Sequence, residues 1–172
     1  MAFLLAYGVT SADMSRDDML SAVLIGSAIM VPVQFMFSSY SDRNGRKGIF
    51  MTGAILTAIW AFVIFPLVDT GNFWLIVLAV TFGLSFLAMM YGPQAAFFTE
   101  LFSTEVRYSG ATLGYQLGAI AGGAFAPTIA AKLWTDFDIF WVSVYIAIAS
   151  ILTLLSVMSL TETYKTDLNE KI

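Results

Sequence analysis

The sequence predicts an all-α, polytopic membrane helical bundle, and three observations carry that prediction. First, 59% of the 172 residues are hydrophobic and 12% are charged, against roughly 25% charged in an ordinary soluble domain. Second, apolar stretches of about 20 residues recur, and at ~1.5 Å rise per residue each can span a ~30 Å hydrocarbon core. Third, the basic turn Ser41-Asp42-Arg43-Asn44-Gly45-Arg46-Lys47-Gly48 lies between flanks, Leu20–Tyr40 and Ile49–Val68, that hold no charged residue. Soluble helices rarely run that far uncharged. The mean hydropathy of +0.82 agrees.

Taken in order, the first element is an apolar stub, Met1–Val9. At about 14 Å as a helix it crosses less than half a membrane. It lacks the basic start of a signal peptide, although Thr10-Ser11-Ala12 loosely resembles a cleavage site. The stub is expected to be the tail of a membrane helix that starts before Met1, so the chain reads as a fragment or a truncated gene product. Five complete spans should follow: Leu20–Tyr40, Ile49–Val68, Phe73–Phe98, Ser109–Leu133 and Ile139–Leu160. Asp69-Thr70-Gly71-Asn72 is a turn by composition, and Trp134–Asp138 is a polar break beside an aromatic belt. Gly92-Pro93 is expected to kink the third span. Residues 1–160 then form the transmembrane region and 161–172 a short polar tail.

Charge sets the expected orientation. With the basic turn in the cytoplasm, the inside segments hold Arg43, Arg46, Lys47, Arg107, Lys165 and Lys171, whereas the outside segments hold Arg16 and Lys132. That bias places the C-terminus inside. The net charge of −4 argues against a nucleic-acid partner. With no Cys and no His, disulfides, thiolate chemistry, a histidine proton relay and the usual soft metal ligands are excluded. No metal, cofactor or catalytic residue is expected, and enzymatic function is disfavoured.

Three constellations stand out. The fourth span carries small residues at a spacing of four: Gly110, Gly114, Gly118, Gly122, Ala126 and Ala130. Such a face lets helix backbones approach closely in lipid, and a tightly packed seam is expected, serving as packing alone or also as a sliding surface. Gln34, Gln94 and Gln116 each lie about 10 Å from the cytoplasmic end of a span, accompanied by Tyr91 and Tyr115. They are read either as the lining of a polar cavity or as interhelical hydrogen bonds, each worth about 0.6–2 kcal/mol. Glu100 and Arg107 flank a short connection near the membrane surface, within reach of Arg43 or Arg46. A plain interfacial pair there contributes ~0–1 kcal/mol; a network that forms in one conformation and breaks in another would matter more. No Asp, Glu, Lys or Arg lies near the expected bilayer centre.

Asp42-Arg43-Asn44-Gly45-Arg46-Lys47 resembles the second copy of the loop signature of the major facilitator superfamily, G-x-x-x-D-R-x-G-R-[RK], with Ser38 where the pattern has its first Gly. Tyr91-Gly-Pro, Glu100-Leu-Phe and Arg107-Tyr-Ser-Gly-Ala resemble its tenth-to-eleventh helix region. They are most similar to the metabolite–proton symporter branch of shikimate, α-ketoglutarate and proline/betaine carriers, as is Glu162-Thr163 followed by Asp167-Leu168. The resemblance covers the end of helix seven through helix twelve. It implies most of the C-terminal six-helix half of an alternating-access carrier in a bacterial inner membrane, acting with lipid, an N-terminal half, a small polar metabolite and protons. It also implies an inner gate of Asp42, Arg43, Arg46, Glu100 and Arg107, and it favours Gln34, Tyr91, Gln94, Tyr115 and Gln116 as cavity lining. The family's proton-coupling carboxylates belong to the other half. The competing expectation is a non-transporting membrane module, or gene remnant, that binds another membrane protein.

Overall fold

A computed structural model of the chain describes residues 1–102 and 105–162, so most of the expected tail lies outside the described residues. The described residues form helices joined by short turns: α1 (Ala2–Ser11), α2 (Arg16–Asn44), α3 (Arg46–Asp69), α4 (Phe73–Glu100), α5 (Arg107–Ala119), a π-helical turn (Ile120–Ala124), α6 (Ala126–Asp136) and α7 (Ile139–Ser159). Five stretches are long and apolar enough to cross a membrane: α2, α3, α4, α7 and the run Arg107–Asp136. The chain is an integral membrane protein.

Local chemistry sets the helix ends. Ser15 starts α2 four residues earlier than hydropathy suggested, because its hydroxyl accepts from the Asp18 amide at 3.0 Å and donates to the Asp18 carboxylate at 2.7 Å. Asn72 caps α4 by accepting from the Trp74 and Leu75 amides, and Asp138 caps α7 by accepting from the Ile139 amide. The expected eight-residue basic turn is almost wholly helical. Only Gly45 breaks the chain between α2 and α3, at φ 107°, where a side chain would be strained. Charges between two apolar runs are compatible with helix ends as well as with a loop, and here they lie at helix ends. α4 remains helical through the expected kink site at Pro93.

Packing follows the order α2, α4, α3, α7: α4 lies between α2 and α3, and α3 lies between α4 and α7. α1 leans on α2, α3 and α6. The main apolar core, with Tyr7, Met19, Phe65, Val68, Ile76, Val80 and Val142, fills the end away from the basic junction. There the Tyr7 hydroxyl donates to Asp69 at 2.6 Å, and its ring packs against Phe65 and Trp134. A smaller cluster of Phe50, Phe97 and Val157 lies toward the basic end.

Helices approach closely at isolated glycines. A Cβ on Gly53 would lie 2.9 Å from the Met89 Cβ and 3.0 Å from the Phe86 carbonyl; one on Gly92 would lie 3.0 Å from the Gln34 carbonyl and from the Ser38 amide. The expected seam along the fourth span is not formed within the described residues. A Cβ at Gly114, Gly118 or Gly122 would meet nothing within 4 Å, and α5 buries no residue. Elsewhere the stripe finds neighbours: Gly110 meets the Phe102 ring, Ala126 lines an apolar cavity with Trp60 and Phe65, and Ala130 is buried in the main core. A period of four marks one helix face, but from Gly114 to Gly122 that face meets none of the chain's other described helices.

Candidate functional site

Three helix ends converge at the basic junction. Arg46 opens α3, Asp42 lies one turn before Gly45 on α2, and Glu100 closes α4. The Arg46 guanidinium donates from Nε to both Glu100 carboxylate oxygens at 2.8 and 2.9 Å, and its Nη2 lies 2.7 Å from Oε1. Nη1 donates to Asp42 at 2.7 Å. The Arg46 and Glu100 side chains are 11% and 12% exposed, Asp42 56%. The Arg46–Glu100 pair is therefore the desolvated member, costly to break by removing one partner, and Asp42 is a solvated accessory.

A second set of contacts joins α3 to α7. Two cations in the first turn of α3 oppose the helix dipole, and the fold offsets them. The Glu162 carboxylate accepts from the Arg46 and Lys47 backbone amides at 3.0 and 3.1 Å. The Lys47 ammonium in turn donates to the Met158 and Leu160 carbonyls at 2.8 and 2.6 Å, at the C-terminal end of α7. An anion at a helix N-terminus and a cation at a helix C-terminus are both favourable. Lys47 and Glu162 had not been singled out as site residues, and the available signal was two cations at a helix start with no carboxylate in that turn.

Of the five expected gate residues, the structure brings together Asp42, Arg46 and Glu100. Arg43 is exposed and forms no ion pair among the described residues. Arg107 stands apart at the start of α5, its Nε and Nη2 buried without a hydrogen-bond partner among the described residues.

A cavity of about 410 Å³ opens between the last turns of α4 and the start of α5. Tyr91, Gln94, Phe98 and Thr99 line it from α4, Thr112 and Tyr115 from α5. Phenols, hydroxyls and one carboxamide can hydrogen-bond a polar solute without supplying a formal charge. Tyr91, Gln94 and Tyr115 were expected there. Gln34 does not line it, because that stretch of α2 packs against Gly92, and neither does Gln116, which is exposed on α5. Nor does any of the three glutamines form a side-chain hydrogen bond among the described residues, as the interhelical alternative required. Another cavity, of about 300 Å³, is walled by Phe3, Trp60, Phe65, Pro127 and Tyr145 among others. Its lining is almost entirely carbon, with little to hold a polar solute.

A bundle of membrane-crossing helices, with an uncharged cavity beside a part-buried ion pair at its basic end, defines the class of polytopic membrane proteins. The model of the Major Facilitator Superfamily matches residues 1–171, and the chain belongs to that family. It is similar to the inner membrane metabolite transport protein YhjE of Escherichia coli, with 38% identity over 84% of this chain and 32% of that protein. It is also similar to the Escherichia coli shikimate transporter, with 34% identity over 84% of this chain and 33% of the relative. The chain thus spans about a third of the length of these relatives. No solved structure matches it.

Proposed function

We propose that the chain is part of an alternating-access carrier for a small polar metabolite in a bacterial inner membrane, with its basic end and C-terminus in the cytoplasm. The observation that carries this reading is the position of the α4–α5 cavity. Its α4 wall, Tyr91 to Thr99, ends one residue before Glu100, so the helix that would touch the solute also carries the carboxylate that holds Arg46. Tyr91, Gln94 and Tyr115 bind the solute. Asp42, Arg46 and Glu100 hold the cytoplasmic ends of α2, α3 and α4 together in one conformation. Arg43 and Arg107 join that network in another, and the Arg107 nitrogens that have no partner among the described residues fit a group that changes partners during the cycle. In this reading a second six-helix half closes the cavity and covers the open face of Gly114, Gly118 and Gly122. Proton coupling is assigned to that half, because the middles of the spans here carry no ionisable carboxylate. The names of the relatives favour a metabolite such as shikimate.

The test replaces the matching third of the Escherichia coli shikimate transporter with this chain and measures shikimate uptake. Gln94→Ala should raise KM about tenfold, the loss of one good hydrogen bond, while Arg46→Ala should lower Vmax with KM little changed. A hybrid that inserts at the parent's level and moves no shikimate, or the same kinetic defect from both substitutions, would contradict the assignment. Orientation is checked with an impermeant thiol reagent, since the chain has no cysteine. Met14→Cys should label from outside and Asn44→Cys only after permeabilisation; the reverse pattern would invert the topology.

A further inference from the structure

A threonine in a helix can spend its hydroxyl on its own backbone. Thr52, Thr135 and Thr153 do so, each donating to the carbonyl four residues earlier at 2.9 to 3.0 Å. Thr99, in the α4 wall of the cavity, donates in the same way to the Ala96 carbonyl at 2.9 Å. Thr112, in the α5 wall, does not. It lines the cavity, and its hydroxyl has no hydrogen-bond partner among the described residues. The Tyr91 and Tyr115 hydroxyls and the Gln94 carboxamide of the same lining are equally unengaged.

These groups share a chemical property. Each hydroxyl both donates and accepts, and a carboxamide presents a donor and an acceptor side by side. None of the cavity's lining is charged among the described residues, and Ala95, Phe98 and Ala111 fill the rest with carbon. A carboxylate would use only the donors of this set, and an ammonium only the acceptors. A hydroxyl uses both, so the lining matches neighbouring hydroxyls on a compact carbon frame. We infer that the α4 and α5 walls bind the hydroxyl groups of the solute, with Thr112 a specificity-determining residue for them. A site that hydrogen-bonds a hydroxyl rejects the analogue lacking it, because its own polar groups are then left unpaired. Thr112 suits that role, since its β-branched side chain has few rotamers and its hydroxyl is not tied to the backbone.

This inference rests on the cavity assignment made above and names the part of the solute that these walls meet. The test uses the hybrid carrier in membrane vesicles with two probes that share a ring and a carboxylate: shikimate, which bears hydroxyls, and cyclohex-1-ene-1-carboxylate, which bears none. Thr112→Val keeps the branched shape and removes the hydroxyl. It should raise the KM for shikimate about tenfold, as the loss of one good hydrogen bond does, with Vmax little changed. Inhibition by cyclohexenecarboxylate should be unaltered, and Thr112→Ser should restore the KM. Equal changes for both probes, as a purely structural role would give, or no change for either, would overturn the role of Thr112. Binding is also measured without turnover, through alkylation of Ala111→Cys in the cavity wall by N-ethylmaleimide. Shikimate should slow that reaction at least about threefold when Thr112 is present and not in Thr112→Val. Equal protection by shikimate in both would overturn the proposal even in a hybrid that does not transport. An unchanged KM in Gln94→Ala, with no protection of Ala111→Cys by either probe, would instead remove the cavity assignment itself.

Discussion

The layer α2–α4–α3–α7 and the fourth span, α5 through α6, use the same small residue for opposite purposes. In the layer, Gly26, Gly53 and Gly92 are far apart in sequence, yet each lies where a neighbouring helix leaves no room for a Cβ. In the fourth span, Gly114, Gly118 and Gly122 are evenly spaced and face open space. A single glycine under a neighbouring backbone fixes a helix crossing. A row of them with nothing opposite leaves the helix free to move, or to receive a partner. The structure therefore divides into a rigid layer that carries the Arg46 network and a lightly held span that walls the cavity.

The largest expected effect lies at the end of the layer. Glu100→Gln leaves the Arg46 guanidinium to the largely solvated Asp42 in place of the mostly buried Glu100 and should cost about 3 kcal/mol of stability, read by thermal unfolding in detergent. Its counterpart in the fourth span, Arg107→Ala, should stay within about 1 kcal/mol, because two of its nitrogens lack partners among the described residues. Comparable losses for the two would erase the division. Gly92→Ala comes next. It places a methyl 3.0 Å from backbone atoms of α2, and overpacking of this kind costs about 1–3 kcal/mol. A neutral result would mean that α2 and α4 separate without strain. Glu162→Ala removes the acceptor for the first amides of α3 and should cost about 1 kcal/mol, as losing a helix cap does. The smallest effect is that of Asp42→Asn, which should cost about 0–1 kcal/mol because its carboxylate is largely solvated. A cost equal to that of Glu100→Gln would show that Asp42 is no accessory.

Much of this was legible in the sequence because a membrane imposes a coarse rule. Charge-free runs of about 20 residues must be helices, so the five spans and their order followed from hydropathy. Arg46, Asp42 and Glu100 stood out as charges beside such runs. The loop length was not legible, since Arg46 and Lys47 are as compatible with a helix start as with a turn, and only the positive φ of Gly45 shows where the chain breaks. The packing of the fourth span was misjudged for another reason: periodicity identifies a face but not its occupant. The Lys47–Glu162 clamp joins residues 115 apart, and local patterning carries no information about such contacts. Depth left Gln34 and Gln116 open between cavity lining and interhelical hydrogen bonds, and the family resemblance favoured the cavity; rotation about the helix axis decides which side chains line the α4–α5 cavity.

The central claim is that closeness, not spacing, gives these glycines their roles. The most direct measurement compares the melting temperatures of Gly53→Leu and Gly118→Leu for the chain in one detergent. Gly53→Leu forces a branched side chain against the Met89 Cβ and the Phe86 carbonyl, and should lower the transition by roughly 5–10 °C, corresponding to a loss of about 2–3 kcal/mol. Gly118→Leu enters open space and should stay within about 2 °C of the unaltered chain. Equal depressions, or a larger one for Gly118→Leu, would contradict the account and restore the small-residue stripe as a packed seam.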